Sequence, residues 1–187
     1  GSYINAGIWT IRLEPVVTVT GQYYLYLPAG SGIGESTGFY RATPQVTLTI
    51  PSTAAKVITV GAYDPVYDTY ADFSGRGYAD STRTIGVAAA GLTKPDLVAP
   101  GVNIQAPDVY GSFTPVTGTS FAAPIVSGAA ALLMEWGIVQ GNDPFLYGEK
   151  VKAYLRKGAR PLRGEIEYPN DRVGYGKLCV ADSFPEN

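Results

Sequence analysis

The spacing of apolar and polar positions changes character along this chain. Over the first 50 residues the visible period is two. Residues 8–13 and 16–20 are rich in β-branched side chains, and residues 23–27 form an aromatic and aliphatic run. Gln45-Val46-Thr47-Leu48-Thr49-Ile50 alternates polar and apolar, the pattern of a half-buried strand. Gly21, Pro28-Ala29-Gly30 and the stretch 31–38 punctuate these runs as turns or loops. Antiparallel β-structure is therefore expected over 8–50, and a sheet that begins so abruptly is expected to lack its earlier strands.

Beyond residue 50 the pattern is that of a mixed α/β chain. Val57-Ile58-Thr59-Val60-Gly61-Ala62 is a short apolar run, as in a strand covered on both faces. Residues 63–82 read as an acidic, Tyr-rich loop, and residues 84–89 as a further strand. Two prolines and a glycine fix turns over 94–101, followed by a short extended piece around Ile104. Residues 119–136 read as a helix. Positions 121–134 are apolar or small nearly all round, so the helix is expected to be buried. Its alanines and Gly128 keep it thin, Pro124 falls where a missing N–H costs least, and Gly137 is placed to stop it. A second helix is expected over 144–157, with Pro144 in its first turn. Val151, Tyr154 and Leu155 form its apolar stripe, and Lys150, Lys152, Arg156 and Lys157 are expected to face water. Arg160, Arg163, Glu165, Glu167, Asp171 and Arg172 read as a solvated loop of mixed charge.

Composition narrows the function classes. The 187 residues carry Lys+Arg 14 against Asp+Glu 16, a net charge of −2. Only 16% are charged and 45% are hydrophobic, which speaks against disorder and against a nucleic-acid-binding surface. No uninterrupted apolar run reaches the roughly 18 residues of a membrane span, and no basic-then-apolar leader opens the sequence. Histidine is absent and cysteine occurs once, at Cys179. These residues alone therefore supply neither an imidazole base nor a thiol or histidine cluster for zinc. Cys179 reads as a small packed residue.

The sharpest local feature is Gly118-Thr119-Ser120 at the start of the apolar helix. A hydroxyl there lies at the positive end of the helix dipole, beside free backbone N–H groups that would stabilise an oxyanion. The competing reading is that Ser120 or Thr119 is simply the helix cap, and position alone favours it. Asp64, Asp68, Asp72 and Asp80 offer oxygen ligands for calcium, but their spacing fits no standard calcium loop and Asx-turns explain them as well. Trp9, Tyr23, Tyr24 and Tyr26 read as packing residues or, less simply, as a carbohydrate groove.

The run Gly118-Thr119-Ser120-Phe121-Ala122-Ala123-Pro124, continuing into Ile125-Val126-Ser127-Gly128, resembles the nucleophile motif of the subtilases, the subtilisin-like serine proteases. Val57-Ile58-Thr59-Val60-Gly61-Ala62 resembles the family's strand after the substrate pocket. Phe73-Ser74-Gly75-Arg76-Gly77 resembles its Phe-Ser-x-x-Gly turn. Lys94-Pro95-Asp96-Leu97-Val98-Ala99-Pro100-Gly101 resembles its Lys-Pro-Asp segment, and Gly174-Tyr175-Gly176 its late Gly-x-Gly. The likeness covers about residues 51–182 in the family's order. Phe121 and Ile125 stand where Met and a non-catalytic His are common.

The resemblance implies the C-terminal part of a subtilisin-like three-layer, parallel-sheet α/β fold over residues 53–187. It implies Ser120 as nucleophile, with Gly118 and Thr119 supporting the oxyanion side. The Asp, the His and the oxyanion Asn of the family have no counterpart here and are expected from a preceding part of the same protease. Residues 1–52 resemble the last strands and exit of the jelly-roll domain inserted in the clostridial germination (Csp) subtilases, and Thr49, Ile50 and Pro51 would then wall the specificity pocket. The implied partner is a polypeptide substrate, with no nucleic acid and no membrane span. No cofactor is required, calcium being the one candidate ion. The implied location is exported, cell-envelope or spore-associated. A non-catalytic relative acting as regulator or scaffold is the competing reading. A β-rich carbohydrate-binding module is a third, supported by residues 1–50 alone.

Overall fold

The computed structural model describes residues 6–14, 16–17, 23–27, 36–77 and 93–185. The core element is a pair of parallel strands, β1 (Val60–Asp64) and β3 (Leu97–Pro100), in register Val60↔Leu97 to Tyr63↔Pro100. A two-residue strand β2 (Thr69–Tyr70) folds back antiparallel on β1, giving the order β2-β1-β3. On the other side of β3, residues 176–178 continue the sheet. Val98 N–H donates to Gly176 O at 2.9 Å and Leu178 N–H to Val98 O at 2.8 Å.

Both faces of this sheet are covered. Leu97 and Ala99 of β3, with Ala62 of β1, are fully buried against α1 (Thr119–Met134). Val98, pointing the opposite way by the period-two rule, packs with Tyr70, Leu162 and Val173. The expected two-sided strand at 57–62 is thus present, displaced three residues later. Part of the expected 63–82 loop is the β1–β2 hairpin. The extended piece at Ile104 is β4 (Ile104–Pro107), and it forms an antiparallel hairpin with β5 (Phe113–Val116), whose Phe-Thr-Pro-Val sequence gave no strand signal. The expected strand at 84–89 lies outside the described residues.

The helices differ from expectation in three ways. First, α1 is buried along one stripe only, Ala122, Val126, Ala129 and Leu133, while Leu132 and Met134 are about half exposed at 50% and 46%. The sheet covers one face of a helix, and among the described residues nothing covers the other. Second, Gly137 does not stop the helix. The chain runs on as a π-helical turn, Glu135–Val139, and Gly137 is needed for packing, since a Cβ there would lie 2.8 Å from Leu146 Cδ2. The continuous stretch Thr119–Val139 is long and apolar enough to cross a membrane, but it lies along the sheet with its stripe in the core, as a core helix does. Third, α2 is Gly148–Lys157, starting four residues after Pro144, and Lys152 on it is buried rather than facing water. A four-residue helix α3 (Val180–Ser183) is the last element.

Two compact units are distinguished, Gly1–Tyr40 and Arg41–Asn187. In the first, no strand is formed among the described residues. Residues 8–13 and 23–27 carry no regular secondary structure, and Ile8, Trp9 and Ile11 are exposed. A period-two segment becomes a strand only when a neighbour completes its ladder, and the described residues offer none. Tyr24 and Tyr26 stack with ring centroids 6.4 Å apart. The strand pattern at 45–50 likewise forms no ladder. It is instead tied to the Phe-Ser-Gly-Arg-Gly turn, with Thr47 N–H donating to Arg76 O at 2.8 Å and Arg76 N–H to Thr47 Oγ1 at 2.8 Å.

Candidate active site

The C-terminal ends of β1 and β3 converge on the start of α1. Gly101, one residue past β3, donates its N–H to Tyr63 O at 3.0 Å, and Gly118 N–H donates to Gly101 O at 2.8 Å. The approach leaves no room for a side chain. A Cβ on Gly101 would stand 2.6 Å from Ala62 Cβ and 3.2 Å from Gly118 O. Gly118 itself has φ 151 and ψ 158, a region open essentially to glycine alone. These contacts set the first turn of α1 beyond the carboxyl ends of parallel strands, where open α/β sheets place their sites.

The geometry removes the capping reading of Ser120. The cap residue is Gly118, and no side chain caps the helix. Thr119 and Ser120 are therefore inside the first turn, and Ser120 is exposed. No acidic residue lies in that turn, so the positive helix end is left for an external anion. A serine hydroxyl that caps nothing, at the dipole's positive end and next to N–H groups without helical partners, suits an attacking oxygen whose product is an oxyanion.

The other named candidates are placed by contacts of their own. Thr49 O accepts the N–H of Ser52 at 2.8 Å and also its hydroxyl. Ser52 O in turn accepts the hydroxyl of Thr59 at 2.5 Å, at the N-terminal end of β1. Thr49, Ile50 and Pro51 are exposed there. The calcium candidates do not gather. Asp64 accepts Val66 N–H at 2.8 Å in a turn of its own, Asp68 pairs with Lys177 Nζ at 2.6 Å, and Asp72 is exposed. Among the described residues no three acidic, Cys or His side chains form a metal cluster, and Asp80 lies outside them. The Asx-turn reading holds for Asp64.

The sequence pattern missed a second cluster. Asp96, fully buried, accepts Thr59 N–H at 2.6 Å, Lys94 Nζ at 2.8 Å and Arg156 Nε at 2.9 Å, with Lys152 Nζ at 3.2 Å. Lys94 and Lys152 are buried with it. Burial pushes the Lys94 ammonium below its usual range, against the opposing pull of the Asp96 carboxylate. The only hint in the sequence is one acidic residue inside the Lys-Pro-Asp segment.

These features place an exposed serine in the open first turn of a helix, beside the ends of two parallel strands. A model of the subtilase family matches residues 31–176, and the chain belongs to that family. It is 33% identical over 159 residues to the serine protease AprX of Bacillus subtilis, covering 74% of this chain and 32% of AprX. It is 35% identical over 138 residues to the membrane-bound transcription factor site-1 protease of Mus musculus, covering 74% of this chain and 12% of that protein. Among solved structures, the CspB protease of Clostridium perfringens matches with TM-score 0.72 at 46% identity, over 81% of this chain and 30% of that one. The prenylagaramide maturation protease PagA matches with TM-score 0.55 at 33% identity, over 72% of this chain and 43% of that one. The chain thus spans about a third of the length of AprX and CspB. The subtilase resemblance read from the motifs holds, including its Csp-like character.

Proposed function

We propose that this chain carries the nucleophile of a serine endopeptidase. Ser120 Oγ attacks the peptide carbonyl, an acyl-enzyme forms, and water releases it. The single observation behind this is the exposed Ser120 in an uncapped helix start beside the ends of β1 and β3. Backbone N–H groups of that turn receive the oxyanion, with Gly118 and Thr119 shaping their approach. The proton from Ser120 goes to a histidine, oriented by an aspartate, and an asparagine completes the oxyanion hole. The chain holds no histidine, so these groups come from the preceding part of the same protease, and the 187 residues alone do not hydrolyse peptides. No cofactor enters these steps.

In this reading residues 1–52 are the tail of an inserted jelly-roll-like domain and residues 53–187 the C-terminal part of the catalytic domain. Thr49, Ile50 and Pro51 wall the pocket for the side chain before the scissile bond. The partner is a polypeptide substrate, and the protease works outside the cytoplasm, at the cell envelope or spore. The CspB match supports the subfamily.

Fluorophosphonate labelling of the full-length protein, with the adduct located by peptide mass spectrometry, tests the assignment. Label on Ser120 is the expected result. A folded, mature protein that takes no label would overturn it and leave a scaffold or regulatory role.

A further inference from the structure

The Asp96 cluster places three cations around one carboxylate in a buried site. The surplus positive charge is met by the backbone of one segment. Lys94 Nζ donates to Val57 O at 2.7 Å, and Lys152 Nζ donates to Ala55 O at 2.7 Å and to Val57 O at 2.9 Å. Arg156 stacks over the Tyr175 ring at 4.7 Å. Thr59 completes the arrangement, its N–H on Asp96 and its hydroxyl on Ser52 O. The bonds of both lysines to main-chain carbonyls, and both bonds of Thr59, fall on residues 52–59, the stretch between Thr49–Ile50–Pro51 and β1. None of the residues reaches Ser120, which stands at the other end of β1 and β3.

A buried ion cluster is poor value as stabilisation, because desolvation consumes most of the attraction. What this one does is hold a main-chain segment that has no strand ladder to hold it. Residues 45–52 form no strand, so their exit into β1 is set by side chains arriving from α2 and from the Lys-Pro-Asp segment.

We propose that Lys152, on α2 and remote from Ser120, is a positioning residue for substrate selection. By bridging the carbonyls of Ala55 and Val57 to Asp96 it fixes the pocket wall at Thr49–Ile50–Pro51. This rests on those three residues lining the pocket. The ammonium suits the task because it is a compact donor of three hydrogen bonds, and here three oxygens surround it.

The test uses the full-length protease and peptide substrates that differ only in the residue before the scissile bond. Lys152→Met and the milder Thr59→Val, which removes only the hydroxyl bond to Ser52, are compared with Thr49→Phe. Lys152→Met should change the kcat/KM ratio between large and small side chains about tenfold, the scale of pocket discrimination. Thr59→Val should move it in the same direction by less. The change should fall in KM, with kcat and the rate of Ser120 labelling by a small fluorophosphonate held within about twofold. If Thr49→Phe alters preference while Lys152→Met and Thr59→Val do not, the positioning role is overturned and the wall stands. If Thr49→Phe also leaves preference unchanged, the wall itself is misassigned. Should Lys152→Met fail to fold, Thr59→Val carries the decision alone.

Discussion

At their C-terminal ends β1 and β3 meet glycine, alanine and an exposed serine, joined by backbone hydrogen bonds and free of charged side chains in the first helical turn. At their N-terminal ends, the same two strands meet Asp96, Lys94, Lys152 and Arg156, all wholly or largely buried, with their hydrogen bonds directed to one another and to the chain at 55–59. The strands are shared and the two ends differ in every other respect. One end keeps donors open toward solvent, where a reacting group can use them. The other uses up its donors to fix the main chain. An open end can stabilise charge that appears during a reaction, whereas a saturated end has nothing left to offer a ligand and can only hold geometry.

Four variants test the contrast, in descending order of effect. Ser120→Ala in the full-length protease should lower turnover by about four to six orders of magnitude, since triad residues act as a unit. It should move unfolding free energy by no more than about 0.5 kcal/mol, as befits an exposed side chain. Near-normal hydrolysis, or a large loss of stability, would dissolve the distinction between the ends.

Asp96→Ala should do the reverse. It strands Lys94 and Lys152 in a buried site, at a cost of about 3–5 kcal/mol in urea unfolding. A variant as stable as the parent would show that the cluster is solvated and holds nothing. Gly174→Ala comes next. Gly174 has φ 57, and a Cβ there would press into the carbonyls of Pro95 and Asp96. A loss of about 3 kcal/mol is expected in the same measurement. The Gly-x-Gly motif would then be explained as backbone contact with the Lys-Pro-Asp segment.

The smallest effect concerns an exposed pair far from either end. Arg160 donates to Asp182, and this holds the Asp182 carboxyl below its usual range. The pair's contribution is therefore present above the ordinary carboxylate pKa of 3.8 and is lost as pH falls through the lowered folded value. Asp182→Asn should lower melting slightly at neutral pH, and the difference from the parent should vanish as pH falls through the lowered folded value. Added salt should weaken the parent's advantage. A large change at neutral pH would mean that the pair supports the short helix α3.

Much of the Ser120 end was legible from the residues. Small side chains at 118, 122 and 123, a hydroxyl at 120 and an apolar run behind it are local facts, and they specify a helix start that can be approached closely. The strand Leu97–Pro100 was not legible, because the prolines and glycine around it made turns the simplest reading of 94–101. The helix Thr119–Met134 was harder. Its all-round apolar pattern signals burial, yet it is buried on one stripe, because burial depends on what packs against a face and composition carries no record of that. The strand pattern at 45–50 misled similarly, since alternation describes two faces of a ladder that has no second strand among the described residues.

Lys152 shows the boundary most clearly. Its neighbours in sequence, Lys150 and Lys157, made a basic helix face the simplest reading, and Lys150 does pair with Asp143 near the surface. Lys152 turns inward because Ala55 O and Val57 O lie 97 and 95 residues away in sequence, and Arg156 joins Asp96 across 60. Periodicity and motif are set by neighbours along the chain, so the sequence alone determined the strand β1, the apolar helix and the serine at its start. Which charges are buried depends on distant groups whose desolvation must be offset together. Only the tertiary structure decided that, and with it the division between an end open for chemistry and an end closed to hold the chain.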